Sequence, residues 1–355
     1  MSATGRTRVK RASAAEAPCA NDIVLPTPKV GVLLVNLGTP DGTDFTSMRR
    51  YLKEFLSDKR VIEWPRAIWY PVLYGIVLNT RPTKSGSNYE RIWNREKNES
   101  PLRTFTHSQA EKLSGVLKDQ PNIVVDWAMR YGQPSIETVL TRLREQGCQR
   151  IVMFPLYPQY SATTTATVND KFFEALMKTR FMPAVRTVPS YEDEPVYIDA
   201  LARSIEKHLA TLDFEPEVVI ASYHGIPQSY AKRGDPYPSH CLTTSRLLRE
   251  RLGWDEKKLQ TCFQSRFGPE EWLQPYTDKT IEQLARDGVK SIAVFNPGFV
   301  SDCLETLDEI GNEAAESFHE HGGVNFSHIP CLNDSAEGMS VIETLVRREL
   351  QGWVR

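Results

Sequence analysis

Two stretches decide the fold: residues 29–40, KVGVLLVNLGTP, and residues 217–227, EVVIASYHGIP. Each is a run of aliphatic and β-branched residues without polar alternation, the pattern of a strand buried on both faces. Each then stops at a glycine and a proline, which turn the chain out of a strand. Working outward, similar runs stand at 123–128, 150–154, 259–263, 291–295 and 324–328, separated by amphipathic stretches of helical period. Strands alternating with helices build βα units about a parallel sheet. The expected class is α/β.

The order of short motifs repeats along the chain. Asn36-Leu37-Gly38-Thr39-Pro40 is followed by Arg130-Tyr131-Gly132, then by a helix running into Gly147, a strand at 151–154 and Pro155. Tyr223-His224-Gly225-Ile226-Pro227 is followed by Arg266-Phe267-Gly268, then by a helix running into Gly288, a strand at 292–295 and Pro297. The same pairs in the same order predict two similar Rossmann-like lobes, each a doubly wound parallel sheet, with a cleft between them. The interval from Gly38 to Arg130 is more than twice that from Gly225 to Arg266, so the first lobe carries an insertion, at about 45–95. The expected organisation is a disordered tail at 1–28, an N-terminal lobe at 29–190, a C-terminal lobe at 191–333, and a helix at 334–355 packing back on the N-terminal lobe.

The insertion holds the most aromatic stretch of the chain, VIEWPRAIWYPVLYGIVLNT at 61–80. Its uncharged run, 67–80, is broken by Pro71 and falls short of the roughly 20 apolar residues a membrane-spanning helix needs. It reads either as a helical hairpin covering the core or as an apolar lip, with Trp69 and Leu73 upon it, that admits a greasy ligand or dips into a lipid surface.

Composition narrows the classes. The 355 residues are 40% hydrophobic and 25% charged, an ordinary globular mix rather than a disordered or collagenous one. Lysine plus arginine total 43 against 45 aspartate plus glutamate, which leaves no basic footprint for nucleic acid. The six cysteines form no C-x-x-C pair, and a reducing, cytoplasmic setting follows. The N-terminus carries Arg6, Arg8, Lys10 and Arg11 without the apolar core of a secretory signal.

Ligands of open α/β sheets bind beyond the carboxyl ends of strands, and His224 stands there, placed to act as a base or metal ligand. Another strand-end loop, Pro297 to Glu305, leads into a helix whose Glu305, Glu309 and Glu313 form a row at i, i+4, i+8. Such a row is either a solvated face or a path for a hard cation. The loop Phe154-Pro155-Leu156-Tyr157-Pro158-Gln159-Tyr160-Ser161 offers aromatics, and Arg81, Tyr89, Ser100 and Arg130 offer donors for carboxylates. A flat aromatic ligand bearing acids is implied. No G-x-G-x-x-G, P-loop or G-x-S-x-G is present.

These residues closely resemble the ferrochelatase family, whose members insert ferrous iron into a porphyrin. The resemblance runs from about Lys29 to the C-terminus through VNLGTP, RP-x6-YERIW, SPL, MRYG, PLYPQYSATTT, SYHGIP, KRGDPYP, QSRFGPEEWLQP and PGFVSDCLETLDE. It implies a chelatase-like fold, His224 as metal-site histidine and proton acceptor, and Glu305 as the acid facing it. It also implies Leu37, Arg81, Tyr89, Ser100, Arg130, Tyr131, Tyr160 and Trp272 as porphyrin contacts, with Glu309 and Glu313 as a metal conduit on a π-type helix. Two departures stand out: Cys303 replaces the histidine of animal members, and Ala162 replaces the first cysteine ligand of their [2Fe-2S] cluster. No cluster and no other cofactor is expected. The implied reaction is insertion of Fe²⁺ into protoporphyrin IX to give protohaem and two protons, with peripheral contact to lipid on the cytoplasmic membrane face. Insertion into coproporphyrin or another tetrapyrrole, and a non-catalytic haem- or metal-binding protein, are the alternatives.

Overall fold

The computed structural model describes residues 28–354, so the expected N-terminal tail, apart from its last residue, and Cys19 lie outside the described residues. Eight strands form two sheets: β1 (Lys29–Gly38), β2 (Ile123–Tyr131), β3 (Cys148–Pro155) and β4 (Ala184–Thr187) in one, β5 (Val218–His224), β6 (Leu259–Gln264), β7 (Ser291–Phe295) and β8 (Asn325–Ile329) in the other. Both are wholly parallel, and their orders, β2-β1-β3-β4 and β6-β5-β7-β8, are the same order written twice. The duplicated α/β architecture expected from the motifs is present. The strand β4 had no signal in the sequence: its four residues, AVRT, lie at a sheet edge and make no apolar run.

Register shows which repeats are true equivalents. Asn36 pairs with Met129 and Tyr223 with Phe263, and the Met129 and Phe263 amides donate to the carbonyls of Pro134 and Pro275. Both prolines follow a cis bond, Gln133-Pro134 and Gln274-Pro275. Phe154 against Leu34 and Phe295 against Ala221 give the same alignment. Leu37 and His224 are therefore the same position of the two lobes. The pairing of Arg130-Tyr131-Gly132 with Arg266-Phe267-Gly268 is corrected: Arg130 lies in β2, whereas Arg266 follows β6 in a loop without counterpart in the first lobe.

Alternate residues of the central strands enter different cores, as a sheet covered on both faces requires. Val32, Leu34, Val219 and Ala221 share one large core that spans the two lobes, while Leu33 and Val35 pack outward in the first lobe and Val218 and Ile220 in the second. The helix Ala336–Leu350 lies against the helices Pro195–Leu209 and Pro101–Val116 and against β3.

The insertion is a helical hairpin with its own small core. The helix Phe45–Leu56 packs on a bent helix that runs from Arg66–Val72 through a π-helical turn, Leu73–Val77, into Leu78–Ile92. Met48, Trp69, Leu73 and Leu78 are its buried centre, and the Trp69 indole N–H donates to the Leu56 carbonyl at 2.7 Å. Trp69 and Leu73 thus do not form the outer face of a lip. That face is made by Ile68, Tyr70, Tyr74 and Ile76, all exposed. Trp69→Ala should cost about 3–5 kcal/mol in denaturant unfolding, whereas Ile68→Ser should stay within about 0.5 kcal/mol; equal costs would overturn this division of the hairpin.

Candidate active site

The carboxyl ends of both sheets open on one cleft of about 490 Å³. His224 ends β5 and lines it. Its Nδ1 lies 2.6 Å from the Gly225 carbonyl oxygen; a carbonyl only accepts, so Nδ1 carries a proton, and the tautomer this selects has its lone pair on Nε2. The rings of Trp272 and Phe299 flank it at 6.3 and 6.5 Å. A Cβ at Gly225 would stand 3.0 Å from the Gln264 carbonyl and 3.1 Å from the Trp272 ring, so the turn is packed closely at this point. At the equivalent place of the other lobe Leu37 offers the cleft only an aliphatic chain.

Glu305 opens a ten-residue π-helix, Glu305–Ala314, and lines the cleft with Cys303 and Glu309. A π-helix is rare and concentrates at functional sites; here it places the three glutamates in a file from cleft to surface. Glu309 accepts from the Ser265 hydroxyl and, at 3.5 Å, from Gln264. Burial, reinforced by the charge of Glu305, pushes its carboxyl up to about 7. Glu313, half-exposed, meets the Arg91 guanidinium at 3.3 Å, and Arg91 is held 2.6 Å from the buried Asp308. Burial and the neighbouring Glu305 push the Cys303 thiol up, which keeps it protonated. Among the described residues no three His, Cys, Asp or Glu side chains gather about one point, so His224 and Glu305 are separate donors rather than parts of a closed ligand set.

Three residues absent from the sequence reading hold these groups. Gln264, on β6, accepts from Ser222 at 2.7 Å and from Asn296 at 2.7 Å, and donates to the Glu305 carbonyl at 2.8 Å. Asp302 is buried and accepts from Thr306 at 2.8 Å, Asn333 at 2.6 Å and the Cys331 amide at 3.3 Å, fixing the loop that delivers Cys303 and Glu305. Asn296 follows β7 and also donates to the Ser222 carbonyl. The one available signal was position, since Gln264 and Asn296 end or follow strands.

The other predicted contacts divide. Arg81, Tyr89, Ser100 and Trp272 all line the cleft. The Arg81 guanidinium lies over the Phe267 ring at 4.8 Å with no carboxylate partner among the described residues, and desolvation lowers its pKa. Tyr89 is buried, with its hydroxyl pushed up by burial and by Glu305. Ser100 also caps the helix Pro101–Val116, accepting from the Arg103 amide. Trp272 is fixed by its indole N–H on the Phe267 carbonyl at 2.9 Å.

Arg130, Tyr131 and Tyr160 do not line the cleft. Arg130 and Tyr131 turn to Asp58, which accepts from both and from Thr167, and these partners hold its carboxyl below the usual range in spite of burial. A guanidinium buried beside a carboxylate stays with it. In the loop after β3 it is Tyr157 that faces the cleft, its hydroxyl buried without a partner.

The chain is 73% identical over 354 residues to the ferrochelatases of Brucella ovis and Brucella abortus, covering all of each. Among solved structures it is similar to SirB from Bacillus subtilis with Fe³⁺, at a TM-score of 0.52 and 14% identity, covering 91% of this chain and 98% of that one. It is also similar to DR2241 from Deinococcus radiodurans, a multi-domain protein described as similar to chelatases, at a TM-score of 0.53 and 11% identity, covering 89% of this chain and 54% of that one. These two likenesses concern the fold alone. The ferrochelatase family profile matches residues 29–350, and with full-length relatives at 73% identity the chain belongs to the ferrochelatase family.

Proposed function

We propose that this ferrochelatase inserts Fe²⁺ into protoporphyrin IX with His224 as the base for a pyrrole proton and Glu305 as the carboxylate that positions the metal. The observation that carries this is the pinned tautomer of His224: Nδ1 is committed to the Gly225 carbonyl, so Nε2 is the atom that takes the proton. Insertion replaces two pyrrole N–H bonds by bonds to iron and releases two protons. One goes to His224; the other leaves along Glu305 and Glu309, the latter poised near neutrality to pass it on. Metal and proton chemistry then sit on the C-terminal lobe, because Leu37 at the equivalent position cannot ligate hard Fe²⁺. Glu313, at the outer end, meets iron arriving from solvent. No resident cofactor is needed.

The cleft wall supports the dicarboxylate porphyrin. Arg81 and Arg266 are its only cations among the described residues, and Arg266 already pairs with Asp278 at 2.9 Å. A tetracarboxylate such as coproporphyrin would bury more acid than this wall can answer. Steady-state metallation should therefore favour protoporphyrin IX.

No helix among the described residues is long and apolar enough to cross a membrane. We place the chain in the cytoplasm, with the exposed Ile68, Tyr70, Tyr74 and Ile76 touching lipid peripherally.

Three outcomes test this assignment. His224→Ala should lower kcat by about 10²–10⁴-fold with little change in protoporphyrin Kd; near-normal turnover would refute the base. A carboxyl raised from 4.5 to about 7 in the folded state favours folding less and less as pH climbs between those values. The stability of Glu309→Gln relative to the parent should therefore climb from about pH 4.5 to 7, by up to about 3 kcal/mol; a pH-independent difference would show that Glu309 is not desolvated. Ile68→Ser with Ile76→Ser should weaken partitioning onto lipid vesicles without lowering stability, and unchanged partitioning would remove the lipid contact.

A further inference from the structure

The strand β6 ends at Gln264, and the next residue, Ser265, has φ +63°. Among the described residues only three that are not glycine have a positive φ, and the other two, Asn98 and Asn333, are asparagines. Asparagine enters the left-handed region with little strain and glycine with none, whereas the Cβ of a serine crowds the backbone there. Backbone strain of this kind gathers at functional sites. What serine has and glycine lacks is a hydroxyl, and the Ser265 hydroxyl donates to Oε2 of Glu309. Both residues line the cleft.

A glutamate side chain turns about three bonds, so its carboxyl rests where its hydrogen bonds put it. The second bond to Oε2, from the Gln264 amide, is 3.5 Å long, and that amide is committed to the Glu305 carbonyl at 2.8 Å. Ser265 is therefore the main restraint on Glu309. Two destinations are open to the carboxyl. One is the glutamate file of the π-helix, where Glu305 and Glu313 stand four residues to either side. The other is Arg81, which lines the cleft, has no carboxylate partner among the described residues and lies within the field of Glu309. A guanidinium and a carboxylate in a low-dielectric cleft attract strongly, and their pairing would occupy the donors that an acid group of a ligand needs.

We infer that Ser265 is a positioning residue: its hydroxyl, presented from a strained turn, keeps the Glu309 carboxyl in the glutamate file and off Arg81. One carboxylate then serves the proton path while the guanidinium stays free for an acid group of the ligand. This rests on the porphyrin reading and the proton path given above. A glycine would make the same turn without strain and would leave Glu309 unheld.

The test pairs Ser265→Ala, which removes the hydroxyl and keeps the strain, with Ser265→Gly, which removes both; each is also made with Glu309→Gln. Ser265→Gly should melt about 1–2 °C above Ser265→Ala. Both should nevertheless lower kcat alike, about tenfold, and weaken protoporphyrin IX binding alike, about two- to fivefold in Kd by fluorescence titration. Combined with Glu309→Gln, neither should lower kcat or affinity further, because the effect passes through that carboxyl. Losses that persist undiminished with Glu309→Gln would overturn the inference by showing that Ser265 meets the ligand directly. Parental kcat and Kd in both serine variants, or in Ser265→Gly alone, would overturn it by showing that the hydroxyl is not needed. If the parent protein does not bind protoporphyrin IX, or Glu309→Gln alone keeps the parental kcat, the functional reading falls. Melting midpoints then still decide the hold: the shifts of Ser265→Ala and Glu309→Gln should be non-additive, and additive shifts reject it. Ser265→Gly suits the backbone and keeps the test sound should Ser265→Ala fold poorly.

Discussion

The buried amide of Gln264 is the point on which the site depends. Its oxygen takes hydrogen bonds from Ser222 on β5 and Asn296 after β7, and its nitrogen donates to the backbone of Glu305. Three strand ends and the π-helix are thereby tied to one side chain inside a low-dielectric core, where an unmet donor or acceptor is costly. Every group of the amide that faces the protein is used. The carboxyl ends of the C-terminal sheet consequently cannot shift relative to Glu305 without stranding polar atoms, and His224, beside Gln264 in the register, is carried in the same frame.

Duplication supplied the cleft, and divergence supplied the chemistry. The two sheets have the same order and bring Leu37 and His224 to equivalent places. A leucine on one side and an imidazole on the other make a cavity with one apolar wall and one reactive wall. That asymmetry suits a flat, greasy ligand: one wall offers contact area, the other an imidazole and a carboxylate. The glutamate file extends this wall outward, from Glu305 in the cleft, through the partly buried Glu309, to Glu313 beside Arg91.

What the sequence by itself determined is local. Short apolar runs mark seven of the eight strands, and the repeated order of motifs marks the two lobes; His224 and the loop leading to Glu305 follow because they begin at strand ends, where an α/β sheet puts its ligand, and Trp272 follows only from the family resemblance. The direction of side chains after a strand has ended was decided only by tertiary structure, because no period governs a loop. Hence Tyr157 rather than Tyr160 faces the cleft; in the helix Arg66–Val72 it is packing on Leu56 that turns Trp69 inward and leaves Ile68 exposed. Arg130 and Tyr131 show the same limit at longer range: their partner Asp58 lies 72 and 73 positions away. A cation takes the buried carboxylate it meets in space, and no spacing along the chain announces that meeting.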